Sequence, residues 1–236
     1  MSTRKGFIAV GTALAALAPL FEAPLAASAA SAAPVLPSPG TSSSLTFDLA
    51  AFDAMLGAPA THRNLFASKL VSDGDVIDAI GNTMSAYRLV GISFPTIFPV
   101  AVLYHVGIAL AFDDAIWNEI LIPAIARLPI WIRSALPAAP KPGSGNPARH
   151  PAPGASADDL SSIDALLAQT RLQFCVCNNA LYGFSTNLAG IVDESPGTLY
   201  DRLIKGLVPR ATVVPAGVWA VHAVQERGFT LLQTSL

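Results

Sequence analysis

The sequence has little charge and almost no cysteine. Only 13% of its 236 residues are Asp, Glu, Lys or Arg, and 14 basic side chains are balanced by 16 acidic ones. A chain without a basic excess lacks the charge that binding to a phosphate backbone needs, so nucleic acid is excluded as a partner. Two cysteines cannot form the disulfide framework of a small secreted scaffold.

Motifs for common cofactors and catalytic centres are also missing. Residues 143–145, Gly-Ser-Gly, fall inside a Pro-rich stretch and not between a strand and a helix, so they do not form a phosphate-binding loop. The segment around Ser185 lacks the second glycine of a serine-hydrolase elbow, and its pattern is that of a helix. The histidines and cysteines never reach the spacing of a zinc site. We therefore expect no cofactor and no metal.

Apolar residues are abundant, at 52% of the total, and those at the start of the chain have the pattern of an export signal. Arg4 and Lys5 form a basic start, residues 7–21 form an apolar core, and residues 27–29 or 30–32, both Ala-Ser-Ala, supply a cleavage site. The basic pair resembles a twin-arginine signal with Lys5 in place of the second arginine, so the Tat and Sec routes both stay open.

Removal of residues 1–33 is predicted to leave a periplasmic or otherwise exported protein. The apolar core over residues 7–21 is shorter than the roughly 20 apolar residues that a membrane span requires. We therefore expect no stable membrane span after the signal is cleaved.

After a Pro/Ser-rich arm over residues 34–58, short apolar runs alternate with helical patterns. The predicted strands are residues 65–70, 97–104, 169–177, 211–214 and 229–232. The predicted helices are residues 75–90, 111–122, 178–191, 196–207 and 216–227. This alternation predicts an α/β domain over residues 59–236 with a mostly parallel sheet. Residues 137–156 have six prolines and three glycines and are predicted to form a surface loop of that domain.

The thiol at the end of the third predicted strand is the main candidate for chemistry. Cys177 ends that strand, and the next helix is predicted to begin at Asn178 or Asn179. Open α/β sheets bind ligands at this edge, and the positive end of a helix stabilises a thiolate. Cys175 is expected on the same face of the strand, about 6.5 Å away, at the upper edge of what a disulfide tolerates, so no unstrained bridge is expected while the strand is regular. The alternative is that both cysteines are small buried side chains.

The residues around Cys177 also resemble a known family. Residues 174–181, Phe-Cys-Val-Cys-Asn-Asn-Ala-Leu, are similar to the V-C-x-N-x-L strand end of the DsrE/DsrF-like family. Residues 207–209, 213–217 and 225–229 are similar to its closing elements, a P-x-G helix and a Gly-aromatic step before a last strand. Residues 102–105 resemble its V-x-x-H-G strand end, although Val106 replaces the glycine and Gly107 follows.

The resemblance implies a three-layer, flavodoxin-like fold with about five strands and helices on both faces, often assembled as a trimer or hexamer. It implies that Cys177 carries persulfide sulfur between a donor and an acceptor protein, with Cys175 as a candidate second thiol. The candidate binding residues around Cys177 are Tyr104, His105, Asn178 and Asn179.

A second class of function stays open, in which the protein is a non-catalytic binding or assembly module. The apolar segment over residues 116–132 would then be the association face of a homo-oligomer. Its large side chains are Trp117, Leu121, Ile125 and Trp131. The competing explanation is that this segment packs against its own sheet.

Overall fold

Five parallel strands form the central layer of the protein. The structure is a computed structural model that describes residues 46–71, 74–136 and 141–233, apart from the side chains of Trp131 and Gln233. The strands are β1 (His62–Ser68), β2 (Ile97–Leu103), β3 (Gln173–Cys177), β4 (Ala211–Val214) and β5 (Thr230–Gln233). They lie in the order β4-β3-β2-β1-β5, and every neighbouring pair is parallel. The predicted α/β class with a parallel sheet of about five strands is confirmed.

Helices pack on both faces of this sheet. The longer ones are α1 (Leu49–Leu56), α2 (Asp75–Leu89), α6 (Ile163–Gln169), α7 (Asn178–Val192), α8 (Pro196–Lys205) and α9 (Gly217–Glu226). Between β2 and α6 lie the short helices α3 (Asp114–Ile116), α4 (Ile122–Ala124) and α5 (Ile130–Arg133). A π-helical turn over Trp117–Leu121 and 3-10 turns over Phe94–Thr96, His105–Ala111 and Ile125–Arg127 complete the helical segments.

The direction of each crossover explains which face a helix covers. From β1 to β4 the chain moves one strand at a time in the same direction, so right-handed crossovers put the connecting helices on one face. The step from β4 to β5 runs back past β1, which sends α9 to the opposite face. The buried side chains accordingly form two clusters. The larger cluster includes residues of α2, α6, α7 and α8, whereas the smaller cluster includes residues of α1 and α9.

Two predicted elements differ most from the structure, and the first strand, predicted over residues 65–70, lies at His62–Ser68. The helix expected over residues 111–122 is interrupted, because Asp113 caps α3 through its side chain and a π-helical turn follows at once. The strand expected from residue 169 begins at Gln173, since residues 163–169 form α6. Ser162 caps that helix by accepting a hydrogen bond from the Ala165 N–H. Serine at this position before an apolar run is an ordinary helix start, and it is the signal that could have identified α6.

The apolar segment considered as an association face contributes mainly to the protein's own core. Ile116, Trp117 and Leu121 are buried, and the indole N–H of Trp117 donates to the Ala109 carbonyl at 2.8 Å. Ile125 packs against the larger cluster, and the side chain of Trp131 is outside the described residues. Most described large side chains of this segment are therefore covered without a second copy of the chain, whereas Ile130 is 71% exposed.

The predicted signal over residues 1–33 lies outside the described residues, as do residues 34–45 of the arm and 137–140 of the Pro-rich loop. Part of the remaining arm forms α1, where Phe52 and Leu56 are buried in the smaller cluster. Within residues 46–71, 74–136 and 141–233, the structure contains no helix that is both long and apolar enough to cross a membrane.

Candidate functional site

The carboxyl ends of β2, β3 and β4 bring the candidate residues to one edge of the sheet. Leu103 pairs with Val176, so the next residue of each strand places Tyr104 beside Cys177. On the other side of β3, Cys177 pairs with Val214, the last residue of β4. Neighbouring strands lie about 4.8 Å apart, so Tyr104 and the segment that follows Val214 flank the cysteine.

Cys177 lies where the strand becomes a helix, as predicted. It is the residue before α7, and its side chain makes no capping hydrogen bond with the first turn of that helix. It is buried, but unlike Cys175 it keeps a small exposed fraction of 6%. The first-turn amides and the dipole of a 15-residue helix stabilise negative charge at this position. Asn178 and Asn179 form the start of α7, the first half-buried and the second exposed.

Cys175 lies in different surroundings from Cys177. It has no exposed surface and packs in the smaller cluster. Burial raises the pKa of its thiol to about 12, so it remains a neutral thiol at ordinary pH. Because the thiolate is the reactive form, Cys175 lacks the properties of an accessible second thiol while the protein is folded.

The expectation that both cysteines lie on the same face of the strand is wrong. Phe174 and Val176 contact the larger cluster and Cys175 the smaller, as strand alternation requires, but Cys177 contacts the larger cluster. Its backbone has φ −66° and ψ 117°, which departs from regular parallel strand geometry. The chain is already turning towards α7, which lies on the face of the larger cluster. The two thiols therefore lie in different environments.

Tyr200 is a residue of this site that the sequence did not indicate. It lies on α8, is 6% exposed, and its hydroxyl donates a hydrogen bond to the Oδ1 of Asn178. Burial is the main cause that raises the pKa of Tyr200, and the nearby charge of Asp201 adds to it. The phenol therefore stays protonated, and able to donate, at pH values above its usual range. The apolar pattern of α8 shows that Tyr200 faces inward, but no local signal identifies a partner 22 residues away.

Tyr104 packs against the start of α9. A Cβ atom added to Gly217 would lie 2.2 Å from the Cβ of Tyr104, so the start of α9 packs directly on this side chain. Tyr104 follows β2 and α9 follows β4, and β3 lies between these two strands in the sheet. Tyr104 and the start of α9 therefore lie together at the sheet edge where β3 ends, the same edge as Cys177.

His105 is exposed at the same edge and has an unusual backbone conformation. Its φ of 53° lies in the left-handed region, which is uncommon for residues other than glycine. The turn continues to Gly107, whose N–H donates to the Lys69 carbonyl at 3.0 Å. A Cβ atom on Gly107 would lie 2.6 Å from the Ser68 carbonyl oxygen, so a glycine is required at this position. This tight packing against the end of β1 holds His105 near the sheet edge.

The sheet edge contains a thiol at a helix start, and Tyr104 and His105 follow the neighbouring strand β2. Across the three described stretches of the chain, no group of three or more His, Cys, Asp or Glu residues has the geometry to hold a metal ion. A cavity of about 250 Å³ lies elsewhere, between α1 and β4. Its lining residues are Thr46, Phe47, Asp48, Ala51, Phe52, Met55, Thr212 and Val213. The chemistry available at the sheet edge is therefore that of the Cys177 thiol.

Comparisons with known proteins give one structural similarity. No protein-family model matches the sequence, and neither does any curated protein. Among solved structures, the protein of unknown function MTH1491 from Methanobacterium thermoautotrophicum is similar, with 14% sequence identity and a TM-score of 0.39. The similarity covers 73% of this chain and 98% of the other chain.

Proposed function

We propose that this protein is a DsrE/DsrF-like sulfur-handling protein in which Cys177 carries sulfur as a persulfide. The observation that carries the proposal is the difference between the two thiols. Cys177 lies at the start of α7 and keeps a small exposed fraction, whereas Cys175 has no exposed surface and a pKa raised to about 12 by burial. The sequence around Cys177 adds its resemblance to the V-C-x-N-x-L strand end of that family.

The proposed step is a thiol exchange on a sulfur donor. The Cys177 thiolate attacks the outer sulfur of a donor persulfide, a new S–S bond forms at Cys177, and the S–S bond of the donor breaks. The donor leaves as a thiolate, so no separate oxidant or reductant is consumed. The first-turn amides of α7 favour the negative charge of the attacking thiolate before the transfer and of the persulfide after it.

The flanking residues have supporting roles in this proposal. Tyr200 holds the Asn178 side chain at the start of α7, and Tyr104 shields one side of the sulfur. His105 lies where an incoming donor would approach the sheet edge. Residues 1–33 have the pattern of an export signal, so we place this chemistry outside the cytoplasm, where oxidation of the thiol competes with sulfur loading.

The test is sulfur loading of the reduced protein by inorganic polysulfide, followed by mass spectrometry of the intact chain and its peptides. Wild type and Cys175→Ala should each gain the mass of one sulfur atom on the peptide that contains Cys177. Cys177→Ala should gain none. If the reduced wild type gains no sulfur at Cys177, the carrier proposal fails, and the assembly module becomes the better explanation.

A further inference from the structure

Part of the Pro-rich loop is anchored in the protein interior. Residues 145–150, here called the strap, include a buried Asn146 that is only 2% exposed. Its side-chain amide donates to the Leu110 carbonyl at 2.8 Å and the Phe112 carbonyl at 2.7 Å. These carbonyls belong to the segment that leads from His105 into α3. The strap therefore supports the chain that follows the candidate site.

The strap also packs closely on α3 and α6. The Asn146 N–H donates to the Oδ1 of Asp114 at 2.9 Å, and a Cβ atom on Gly145 would lie 2.3 Å from that same oxygen. On the other side, the N–H groups of Ile163 and Asp164 donate to the carbonyls of residues 148 and 149, at 2.9 and 3.0 Å. The strap is thus held between the two helices by backbone contacts on both sides.

His150 connects the same two helices through its side chain. Its Nε2 lies 2.7 Å from the Oδ2 of Asp114 on α3, and its Nδ1 lies 2.9 Å from the Oδ2 of Asp164 on α6. A neutral imidazole has one N–H and one lone pair, whereas an imidazolium has two N–H donors. Only the imidazolium donates to both carboxylates, since a neutral ring would direct its lone pair at one of them.

The charges around His150 balance only when it is protonated. The Nε of Arg149 lies 3.5 Å from the Oδ1 of Asp164 and 4.0 Å from the Oδ2 of Asp114. Two carboxylates then face one guanidinium and one imidazolium. Burial raises the pKa of Asp114, but the hydrogen bonds from Asn146 and His150 and the charges of His150 and Arg149 lower it overall. Asp114 therefore stays ionised at pH values below those at which a carboxyl usually takes up a proton.

We propose that His150 is a proton-operated latch that closes the strap between α3 and α6. In the protonated state, His150 donates to Asp114 and Asp164 together. As the pH rises and the ring loses a proton, one of these two contacts is lost and the strap opens more often. This switch does not depend on the chemistry of Cys177. Because Asn146 supports the segment after His105, opening of the strap also loosens the chain that leads away from the candidate site.

The test combines two measurements on the folded protein. The ring-nitrogen chemical shifts of His150 first give the pH at which this ring loses a proton. Hydrogen exchange of the amides of Gly145, Asn146, Ala148 and Arg149 is then measured on both sides of that pH, and each rate is divided by the intrinsic rate. In wild type, protection of these amides should fall by about three- to tenfold as His150 is deprotonated, the range expected for losing one charged but solvent-accessible contact.

The variant His150→Gln keeps one donor and one acceptor but does not titrate. Its protection should be the same at both pH values and should equal that of deprotonated wild type. His222→Gln is the matched control, because His222 forms an exposed pair with Glu226 within α9, at 3.2 Å, far from the strap. This control should keep the wild-type pH dependence.

Two results would overturn the proposal that His150 closes the strap. One is equal protection of the strap amides on both sides of the His150 titration in wild type. The other is an unchanged pH dependence in His150→Gln, which would place the responsible group elsewhere. If the variant does not fold, the wild-type measurements still decide the proposal, because protection that does not fall as the His150 ring loses its proton contradicts it.

Discussion

The hydroxyl of Tyr200 donates a hydrogen bond to the Oδ1 of Asn178, the residue directly after Cys177. This contact joins α8 to the start of α7, at the position where the strand that carries the thiol becomes a helix. Because Tyr200 is buried and stays protonated, the hydrogen bond persists across the ordinary pH range. It is therefore a stable support for the helix start in the proposed carrier.

Removing this hydroxyl should destabilise the protein. Tyr200→Phe keeps the ring but leaves the Asn178 oxygen without its donor, so we expect a loss of about 1 kcal/mol in the free energy of unfolding, measured by urea denaturation. Tyr87→Phe is the matched control, since the Tyr87 hydroxyl donates to the Oδ1 of Asn64 over a longer distance of 3.3 Å. Its loss should be smaller, and equal losses would contradict the importance assigned to Tyr200.

The raised pKa of Tyr200 also predicts a dependence of stability on alkaline pH. The folded protein holds the phenol proton more tightly than the unfolded chain does, so stability is full below the ordinary tyrosine value and falls as pH rises above about 10. Tyr200→Phe should lose less stability over this interval than wild type. Unfolding by urea at neutral pH and at about pH 10.5 measures the difference. An identical decline in both proteins would show that other groups cause it.

Cys175 should behave as a packing residue. Cys175→Ser puts a hydroxyl into the apolar smaller cluster and should reduce the free energy of unfolding by about 1–3 kcal/mol. Cys175→Ala introduces no polar group, so it should be the less disruptive change. Thermal unfolding compares the two variants. A serine variant as stable as the alanine variant would show that a polar partner is available at this position.

Asn146 should contribute more to stability than its place in a Pro-rich loop suggests. Asn146→Ala removes the donors to two buried carbonyls, and we expect a loss of about 2 kcal/mol or more in the free energy of unfolding. Asn118→Ala is a matched control, because Asn118 accepts one hydrogen bond from the Gly145 N–H and is half-buried. Denaturant unfolding should give a clearly smaller loss for the control.

Gly217 should control access to Cys177. Gly217→Ala adds a Cβ atom that would overlap the Cβ of Tyr104, so Tyr104 must move, at a cost of about 1–3 kcal/mol. Displacement of Tyr104 should speed alkylation of Cys177 in the folded protein. Gly197→Ala in the first turn of α8 is the control, since nothing lies within 4 Å of the added atom. Faster alkylation of Cys177 in the control, or an unchanged rate in Gly217→Ala, would contradict this role of Tyr104.

The elements that the sequence predicted well are those with a strong local pattern. Strand β4 has the predicted bounds, and α7 begins at Asn178, directly after the apolar strand. The interruption after Phe112 could not be read from the apolar pattern. It depends on pairing of this segment with the loop after α8, where Phe112 and Leu207 form an antiparallel bridge. A contact between residues so far apart in the chain leaves no local periodicity.

The features of the candidate site also divide into those that follow from a local pattern and those that depend on tertiary packing. The position of Cys177 between a strand and a helix follows from the apolar run before it and the helical pattern after it, and Tyr104 follows from the end of the preceding predicted strand. The opposite environments of Cys175 and Cys177 depend on the direction in which the chain leaves the sheet. That direction is set by the packing of α7 and not by strand alternation.

By itself, the sequence determined the alternation of strands and helices, the parallel α/β class and the location of Cys177 at a strand end. These features depend on periodicity and on residues that are neighbours in the chain. Only the tertiary structure decided that Cys175 is enclosed, that Tyr200 supports Asn178, and that His150 joins two carboxylates. Each of these depends on groups that the folded sheet and its crossovers bring together from distant parts of the chain.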